Sequence, residues 1–211
     1  KATGQQLAKI AARCMAGQKL ADQTSRDGKP PREVIPPYFS VKEAVFPFNK
    51  FPGVDPILGP EMRSTGEVMG AGRTFGEAML KSQLGAGSRL PTQGTVCITV
   101  KNADKARAVA VAKQLHAMGF GLVATKGTAA AIQAAGLACT VVNKVTEGRP
   151  NVVDMIKNEE IALVINTVEE RRNAIVDSRH IRTSALLGRV TTFTTIAGAE
   201  AAEQGMKYLA K

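Results

Sequence analysis

The chain has 211 residues, 44% of them hydrophobic, which is enough for one large domain or two small ones. Aromatic residues make up only 4% of the chain, which predicts an aliphatic core of the kind found in sheets covered by helices. The net charge of +10 is spread evenly, with 13 basic against 8 acidic residues up to Arg89 and 15 against 10 after it. Nucleic-acid sites need clustered charge and stacking aromatics, so we expect no nucleic-acid partner.

Other features of the composition limit the compartment and the chemistry. No apolar run approaches the roughly 18 residues of a membrane span, so we expect no membrane partner. The three cysteines are dispersed, and two lie in apolar runs, which favours reduced thiols in a cytoplasmic protein. The two histidines lie far apart, so no metal site is expected. The first residues, KATG, begin inside a helical pattern without Met, which we interpret as a piece of a longer protein.

The first 88 residues predict a turn-rich α+β region. Helical periodicity covers about Gln5–Gln23, and a second helix is expected over about Thr74–Leu84. Eight of the ten prolines lie in the stretch 30–60, which predicts extended chain and turns. Val41–Asn49 alternates enough to be a strand near an edge. The Gly-, Ser- and Pro-rich segment Leu84–Gln93 is typical of a linker, so we place a domain boundary between residues 88 and 89.

After this linker, apolar strands alternate regularly with helices. The predicted strands are Gly94–Val100, Gly121–Thr125, Cys139–Asn143, Ile161–Asn166 and Val190–Thr195. The predicted helices are Asp104–Met118, Thr128–Ala135, Asn151–Asn158, Arg172–Leu187 and Gly198–Ala210. This order implies an α/β domain over residues 89–211, with a five-stranded parallel Rossmann-like sheet covered on both faces.

Polar residues collect where these strands end. Thr125 and Thr128 lie in the turn GLVATKGT, directly before an Ala-rich helix, and Lys144 and Asn166 follow other strands. Lys105 opens the helix after the first strand. Helix N-termini and the carboxyl ends of parallel strands suit a phosphate, so we predict an anion site here. The alternative is that each residue is only a cap or turn residue. No GxGxxG or GxxxxGK[ST] pattern is present.

Several longer motifs resemble a known family. The run EVIPPYFSVKEAVFPFNKFPGVDPILGPEMRSTGEVMG, at Glu33–Gly70, resembles the end of the second ATP-grasp unit in carbamoyl-phosphate synthase large chains. The motifs ATKGTA, VNKVTEGRPN and ERRNAIVDSRHIRTSAL resemble the methylglyoxal-synthase-like regulatory domain of the same family. The resemblance covers essentially the whole chain. It implies that residues 1–88 are the remnant of an ATP-grasp domain and residues 89–211 the regulatory domain.

The resemblance also implies what the longer protein does. The family is a ligase that makes carbamoyl phosphate from bicarbonate, glutamine and two ATP, with Mg or Mn and with K⁺ as a further candidate ion. The family's metal-binding carboxylates lie upstream of residue 1, so we expect no catalysis, no catalytic residue, no cofactor and no metal in this chain. Methylglyoxal synthase activity is the competing interpretation. The loop NKVTEGRPN lacks that enzyme's Gly-Gly-Asp motif, and Glu147 is its one acid.

Site residues are carried over from the family position by position. A nucleotide site for UMP or IMP falls on Lys105, Thr125, Thr128, Lys144 and Asn166, while a further family hydroxyl falls on Val168.

A second family effector, ornithine, would use Glu43 and Thr194, but the family's Tyr there is replaced by Thr192, which puts ornithine activation in doubt. Expected partners are the rest of the large chain, a glutaminase small subunit and further copies of the chain. The alternative function is an oligomerisation or interaction module that binds no effector.

Overall fold

The structure is a computed structural model that describes residues 2–25, 27–45, 66–168 and 172–209. Seven strands and seven α-helices are assigned within these ranges. The strands are β1 (Phe39–Ala44), β2 (Glu67–Gly72), β3 (Thr95–Thr99), β4 (Gly121–Thr125), β5 (Thr140–Val142), β6 (Leu163–Asn166) and β7 (Thr191–Phe193). The helices are α1 (Leu7–Met15), α2 (Phe75–Gly85), α3 (Lys105–Ala117), α4 (Lys126–Ala134), α5 (Val152–Lys157), α6 (Arg172–Leu187) and α7 (Ile196–Leu209).

The last five strands form one parallel sheet in the order β5-β4-β3-β6-β7. The predicted five-stranded parallel α/β sheet is therefore confirmed. In register, Cys97 of β3 lies between Val123 of β4 and Val164 of β6. The chain proceeds outward from β3 in one direction through β4 and β5, then in the other through β6 and β7. The order of strands thus reverses at β3, and the carboxyl ends of β3, β4 and β6 meet beside this reversal.

Aliphatic side chains cover both faces of this sheet, as the composition predicts. One cluster packs α3, α4 and α7 against a face that includes Val96, Ile98 and Ile165. The other packs α5 and α6 against the opposite face, which includes Cys97, Val123 and Val164. Alternate residues of β3 thus enter opposite clusters, as the two-residue period of a strand requires. Cys97 is fully buried, and burial raises the pKa of its thiol to about 12.

The first region differs from its prediction in three places. α1 ends at Met15 because Gly17, with φ of +91°, ends the helix, so a single helix over Gln5–Gln23 is wrong. β1 occupies Phe39–Ala44, and the last residues of the predicted strand, 46–49, lie outside the described residues. The antiparallel partner of β1, β2 (Glu67–Gly72), was not predicted, since its Gly-rich sequence lacks a strand-like apolar alternation.

Helix α2 joins this region to the sheet. The backbone of β2 approaches α2 closely, because a Cβ built on Gly70 would lie 2.0 Å from the carbonyl oxygen of Ala78. On its other side α2 meets α7, where the hydroxyls of Thr74 and Tyr208 lie 2.5 Å apart. Leu80 of α2 is part of the cluster that covers the sheet. The two sequence regions thus pack together, while the domain boundary between residues 88 and 89 stays a prediction.

Two kinds of feature are absent from the described residues. No helix there is long and apolar enough to cross a membrane. Nor do those residues include a group of three or more His, Cys, Asp and Glu side chains placed to hold a metal ion.

Candidate functional site

A cavity of about 250 Å³ opens at the carboxyl ends of β3 and β4, and we call it the switch-point cavity. It is lined in part by four of the five residues predicted for the nucleotide site: Lys105, Thr125, Thr128 and Lys144. They come from four separate places in the chain: the start of α3, the end of β4, the first turn of α4 and the loop after β5. The parallel topology brings them together, because it places all strand ends on one edge.

The first turn of α4 forms one wall of this cavity. Thr125 is the N-cap residue, but its side chain makes no capping hydrogen bond to the helix. Its hydroxyl donates instead to Thr99 Oγ1 at 3.2 Å. The first N–H groups of a helix have no partners within the helix, and together they carry the positive end of its dipole. Without a side-chain cap, these donors remain available to a ligand in the cavity.

Lys105 lies over the same turn. Its Nζ is 3.1 Å from the position that a Cβ on Gly127 would occupy. An ammonium at the positive end of a helix is electrostatically unfavourable unless an anion lies between the two. The glycine at position 127 leaves room for the lysine to approach the backbone. This arrangement of like charges around a small space is what a phosphate dianion requires.

Hydroxyl groups line the floor of the cavity. Thr125 and Thr128 are 4% and 2% exposed, so their positions are fixed by packing. Thr128 Oγ1 accepts from the backbone N–H of Val100 at 3.4 Å, and Thr167 Oγ1 accepts from that of Lys101 at 3.1 Å. A hydroxyl that accepts a backbone hydrogen bond still has its own proton to donate. The hydroxyls of Thr128 and Thr167 can therefore each donate to an oxygen of a ligand.

Two further lysines line the rim. Lys144 Nζ lies 3.9 Å from Glu147, and Lys101 Nζ lies 4.0 Å from Asp104, with both lysine side chains 40–50% exposed. Pairs at this distance and exposure contribute little, so they do not prevent either ammonium from turning to a ligand. Glu147 also accepts from the backbone N–H of Lys144 at 3.1 Å, which ties its carboxylate to its own loop.

The fifth predicted residue, Asn166, does not line the cavity. Its side chain is 1% exposed and lies one layer behind the wall. Asn166 Oδ1 accepts from Arg182 Nη1 at 3.2 Å, and Nδ2 donates to Ser178 Oγ at 3.4 Å. Ser178 itself lines the cavity, and so does Val168, the position that lacks the family's hydroxyl. In this structure Asn166 therefore contacts Ser178, a residue of the cavity wall, and does not reach the cavity.

Sequence reasoning missed the contribution of α6. Asp177 and Ser178 both line the cavity and are each 6% exposed. Asp177 Oδ2 accepts from Thr146 Oγ1 at 2.9 Å, which ties α6 to the loop after β5. The available signal was two polar residues in succession within the predicted helix Arg172–Leu187. The sequence alone did not reveal which face of α6 turns toward the strand ends.

A second, larger cavity of about 620 Å³ lies where β1 and α2 meet the end of α6 and β7, and we call it the junction cavity. Both residues predicted for a second effector, Glu43 and Thr194, line it, as does Thr192. Burial raises the pKa of Glu43, and hydrogen bonds from Gln83 and from Ser82 at 3.2 Å oppose that rise. The Thr192 hydroxyl donates to the carbonyl of Val190 at 3.2 Å. Arg182 also lines this cavity.

Comparison with known proteins gives a family match inside the second region and relatives that match the whole chain. Residues 107–194 match the family described as the MGS-like domain. Over 209 residues, 99% of this chain, it is 68% identical to the carbamoyl phosphate synthase large chain of Ralstonia nicotianae. The large chains of Pasteurella multocida and Pseudomonas aeruginosa are each 57% identical over 100% and 99% of this chain. The chain belongs to the carbamoyl phosphate synthase large-chain family.

This chain spans only 19% of the length of those relatives. Among solved structures, a methylglyoxal synthase from Elizabethkingia anophelis is 19% identical, with a TM-score of 0.43 over 53% of this chain and 77% of that one. The matches to the large chains extend over both regions of this chain.

Proposed function

We propose that the switch-point cavity binds a nucleoside monophosphate, UMP or IMP, as an allosteric effector of the longer protein. The observation that carries this proposal is the convergence of Lys105, Thr125, Thr128 and Lys144 on one cavity at the uncapped start of α4. The phosphate would lie against the first turn of α4, under Lys105. The Thr128 hydroxyl, whose proton is not used within the chain, would donate to its oxygens, and Lys144 would approach it from the rim.

The volume of the switch-point cavity suits a ligand that binds mainly through its phosphate. Its volume of about 250 Å³ is just below the range of roughly 300–1,000 Å³ that is usual for small-molecule sites. A phosphate and a ribose would occupy it, and the base would extend toward the rim. Ser178 and Thr167 supply polar groups within reach of a sugar, whereas Val168 supplies an apolar surface. One site could therefore accept a purine or a pyrimidine nucleotide.

We propose further that this chain carries no catalytic step of its own. The large chain as a whole would be an ATP-dependent ligase that forms carbamoyl phosphate, with ATP and Mg or Mn held elsewhere in the longer protein. The rest of the large chain and a glutaminase subunit would be its partners, and copies of the chain would associate. Methylglyoxal synthase activity is not expected, because Glu147 is exposed and its carboxylate is tied to the Lys144 backbone. Methylglyoxal formed from dihydroxyacetone phosphate in proportion to the chain, and lost in Glu147→Gln, would contradict this.

Isothermal titration of the chain with UMP and IMP at low salt tests the nucleotide proposal, with uridine as the ligand that lacks a phosphate. We expect UMP or IMP to bind and uridine not to. Lys144→Ala should weaken binding about tenfold, the lower end for a charge-assisted hydrogen bond, because this lysine is half exposed. Affinity should also fall as salt rises.

The matched control is Lys113→Ala, which removes the same charge from an exposed position on α3 outside the cavity. It should leave the affinity within about twofold of the unmodified chain, since exposed charges at a distance are screened by salt. Equal affinity for uridine and UMP, or equal losses in the two lysine variants, would contradict a phosphate-led site. Absence of binding by any nucleotide would favour the interaction module.

A further inference from the structure

Arg182 connects the two cavities through a short chain of buried hydrogen bonds. Arg182 lines the junction cavity and is 1% exposed. From there it donates to Asn166 Oδ1 at 3.2 Å, and Asn166 Nδ2 donates to Ser178 Oγ at 3.4 Å. Ser178 lines the switch-point cavity. The path from one cavity to the other therefore passes through three side chains.

The direction of each bond in this path follows from Arg182. A guanidinium has five N–H donors and no acceptor, so the Asn166 oxygen must face it. This fixes the orientation of the Asn166 amide, which otherwise could turn by 180°. The amide nitrogen then faces Ser178, so the serine oxygen has to accept. Within the described part of the chain this is the one hydrogen bond that the Ser178 hydroxyl makes, and its own proton remains for a ligand.

We propose that Arg182 is a positioning residue for the switch-point cavity: it orients the Asn166 amide and thereby keeps the Ser178 proton directed to the bound nucleotide. This inference rests on the proposed nucleotide site. Without Arg182, the Asn166 amide can turn, and its oxygen can take the Ser178 proton. Because Arg182 also lines the junction cavity, a group bound there lies beside the residue that sets this orientation.

Titration of the intact chain with UMP measures the effect. Arg182→Met and Ser178→Ala should each weaken binding about three- to tenfold, the usual range for one neutral hydrogen bond. The double variant should bind as Ser178→Ala alone does, because Arg182 acts only through that hydroxyl. Arg182→Lys should bind within about twofold of the unmodified chain, since an ammonium also donates and cannot accept.

Two further variants separate this role from general effects. Arg189→Met removes a positive charge from an exposed position just after α6 and should not change the affinity. Asn166→Asp keeps the shape of the side chain but offers only acceptors, so it should draw the Ser178 proton away and weaken binding although Arg182 is present. Asn166→Asp therefore tests the inference even if Arg182→Met fails to fold. Thermal unfolding shows whether each variant is folded.

The outcomes are distinct. The positioning role would be overturned if the fold-losses of affinity in the two single variants multiplied in the double variant, or if a folded Arg182→Met bound UMP as tightly as the unmodified chain. Either result would leave the nucleotide site standing. Failure of the unmodified chain to bind UMP or IMP would overturn the proposed site, and the positioning role with it.

Discussion

The Glu43 carboxylate connects β1 to α2 at the wall of the junction cavity. It belongs to β1, accepts hydrogen bonds from Ser82 and Gln83 of α2, and lines the junction cavity beside β7. Because it is partly buried, removing it from water disfavours its charged form, and this outweighs the two hydrogen bonds. Its raised pKa should therefore make the free energy of unfolding depend on pH.

The sign of this dependence follows from linkage. The folded chain holds the Glu43 proton more tightly than the unfolded chain, so the stabilisation is complete below the ordinary pKa of about 4.5. It is lost as pH rises through the raised pKa of the folded state. In Glu43→Gln this component should disappear, so thermal unfolding between pH 4 and 7 should show a flatter profile than the unmodified chain. Glu67→Gln, at an exposed position of β2, is the control. Parallel profiles for the unmodified chain and Glu43→Gln would contradict the assignment.

At the scale of elements, the crossing of α2 and α7 holds the first region against the sheet. Gly76 lies at the point of closest approach, where an added Cβ would be 2.8 Å from the carbonyl of Gln204 and 3.0 Å from the ring of Tyr208. Such a contact with backbone can only be relieved if the helices move apart. Gly76→Ala should thus lower the free energy of unfolding by about 1–3 kcal/mol, although Ala favours helices intrinsically.

Gly85→Ala, in the last turn of the same helix, is the matched control for the Gly76 prediction. Its added Cβ would meet only the side chain of Val68 at 3.3 Å, which can shift slightly. Urea denaturation of both variants gives the comparison. A loss in Gly76→Ala no larger than in Gly85→Ala would mean that the crossing is not close-packed.

The elements that could be predicted are those with strong local signals. The alternation of strands and helices after residue 94 was enough to predict the sheet. The strand ends and the helix starts beside them pointed to four residues of the switch-point cavity, because parallel topology brings those ends together. β2 was not predicted because two of its six residues are glycines. They allow the strand to pack closely against α2, but they give no apolar alternation from which a strand could be predicted. Asp177 and Ser178 were missed because the rotation of α6 about its axis depends on tertiary packing. Asn166 was placed in the site by the sequence, but it is buried behind the wall and bonds to Arg182, a contact over sixteen residues that depends on the tertiary fold.

For the whole molecule, the junction cavity predicts how the longer protein responds to ornithine. Binding an ornithine needs acids for its amines and an apolar surface for its methylene chain. Glu43 and Thr194 line the cavity, but Thr192 offers no ring, and its hydroxyl already donates to Val190. Losing one such contact costs on the order of 1–3 kcal/mol. We therefore expect full-length enzyme to respond weakly or not at all to saturating ornithine, and Thr192→Tyr to gain a response.

The ornithine assay compares carbamoyl phosphate synthesis with and without the effector in both proteins. The response to UMP serves as the internal control, because Thr192 does not line the switch-point cavity. Strong activation of the unmodified enzyme by ornithine would contradict the account of the junction cavity.

The most direct test of the nucleotide site is to locate the bound phosphate by amide NMR of the chain titrated with UMP. If the phosphate lies at the start of α4, the backbone N–H signals of Gly127 and Thr128 should shift strongly as those groups donate to it. The signals of Thr192 and Thr194, in the junction cavity, should stay in place. Saturable binding that leaves Gly127 and Thr128 unmoved, or that shifts the junction-cavity signals alone, would contradict the central claim that the switch-point cavity is the nucleotide site.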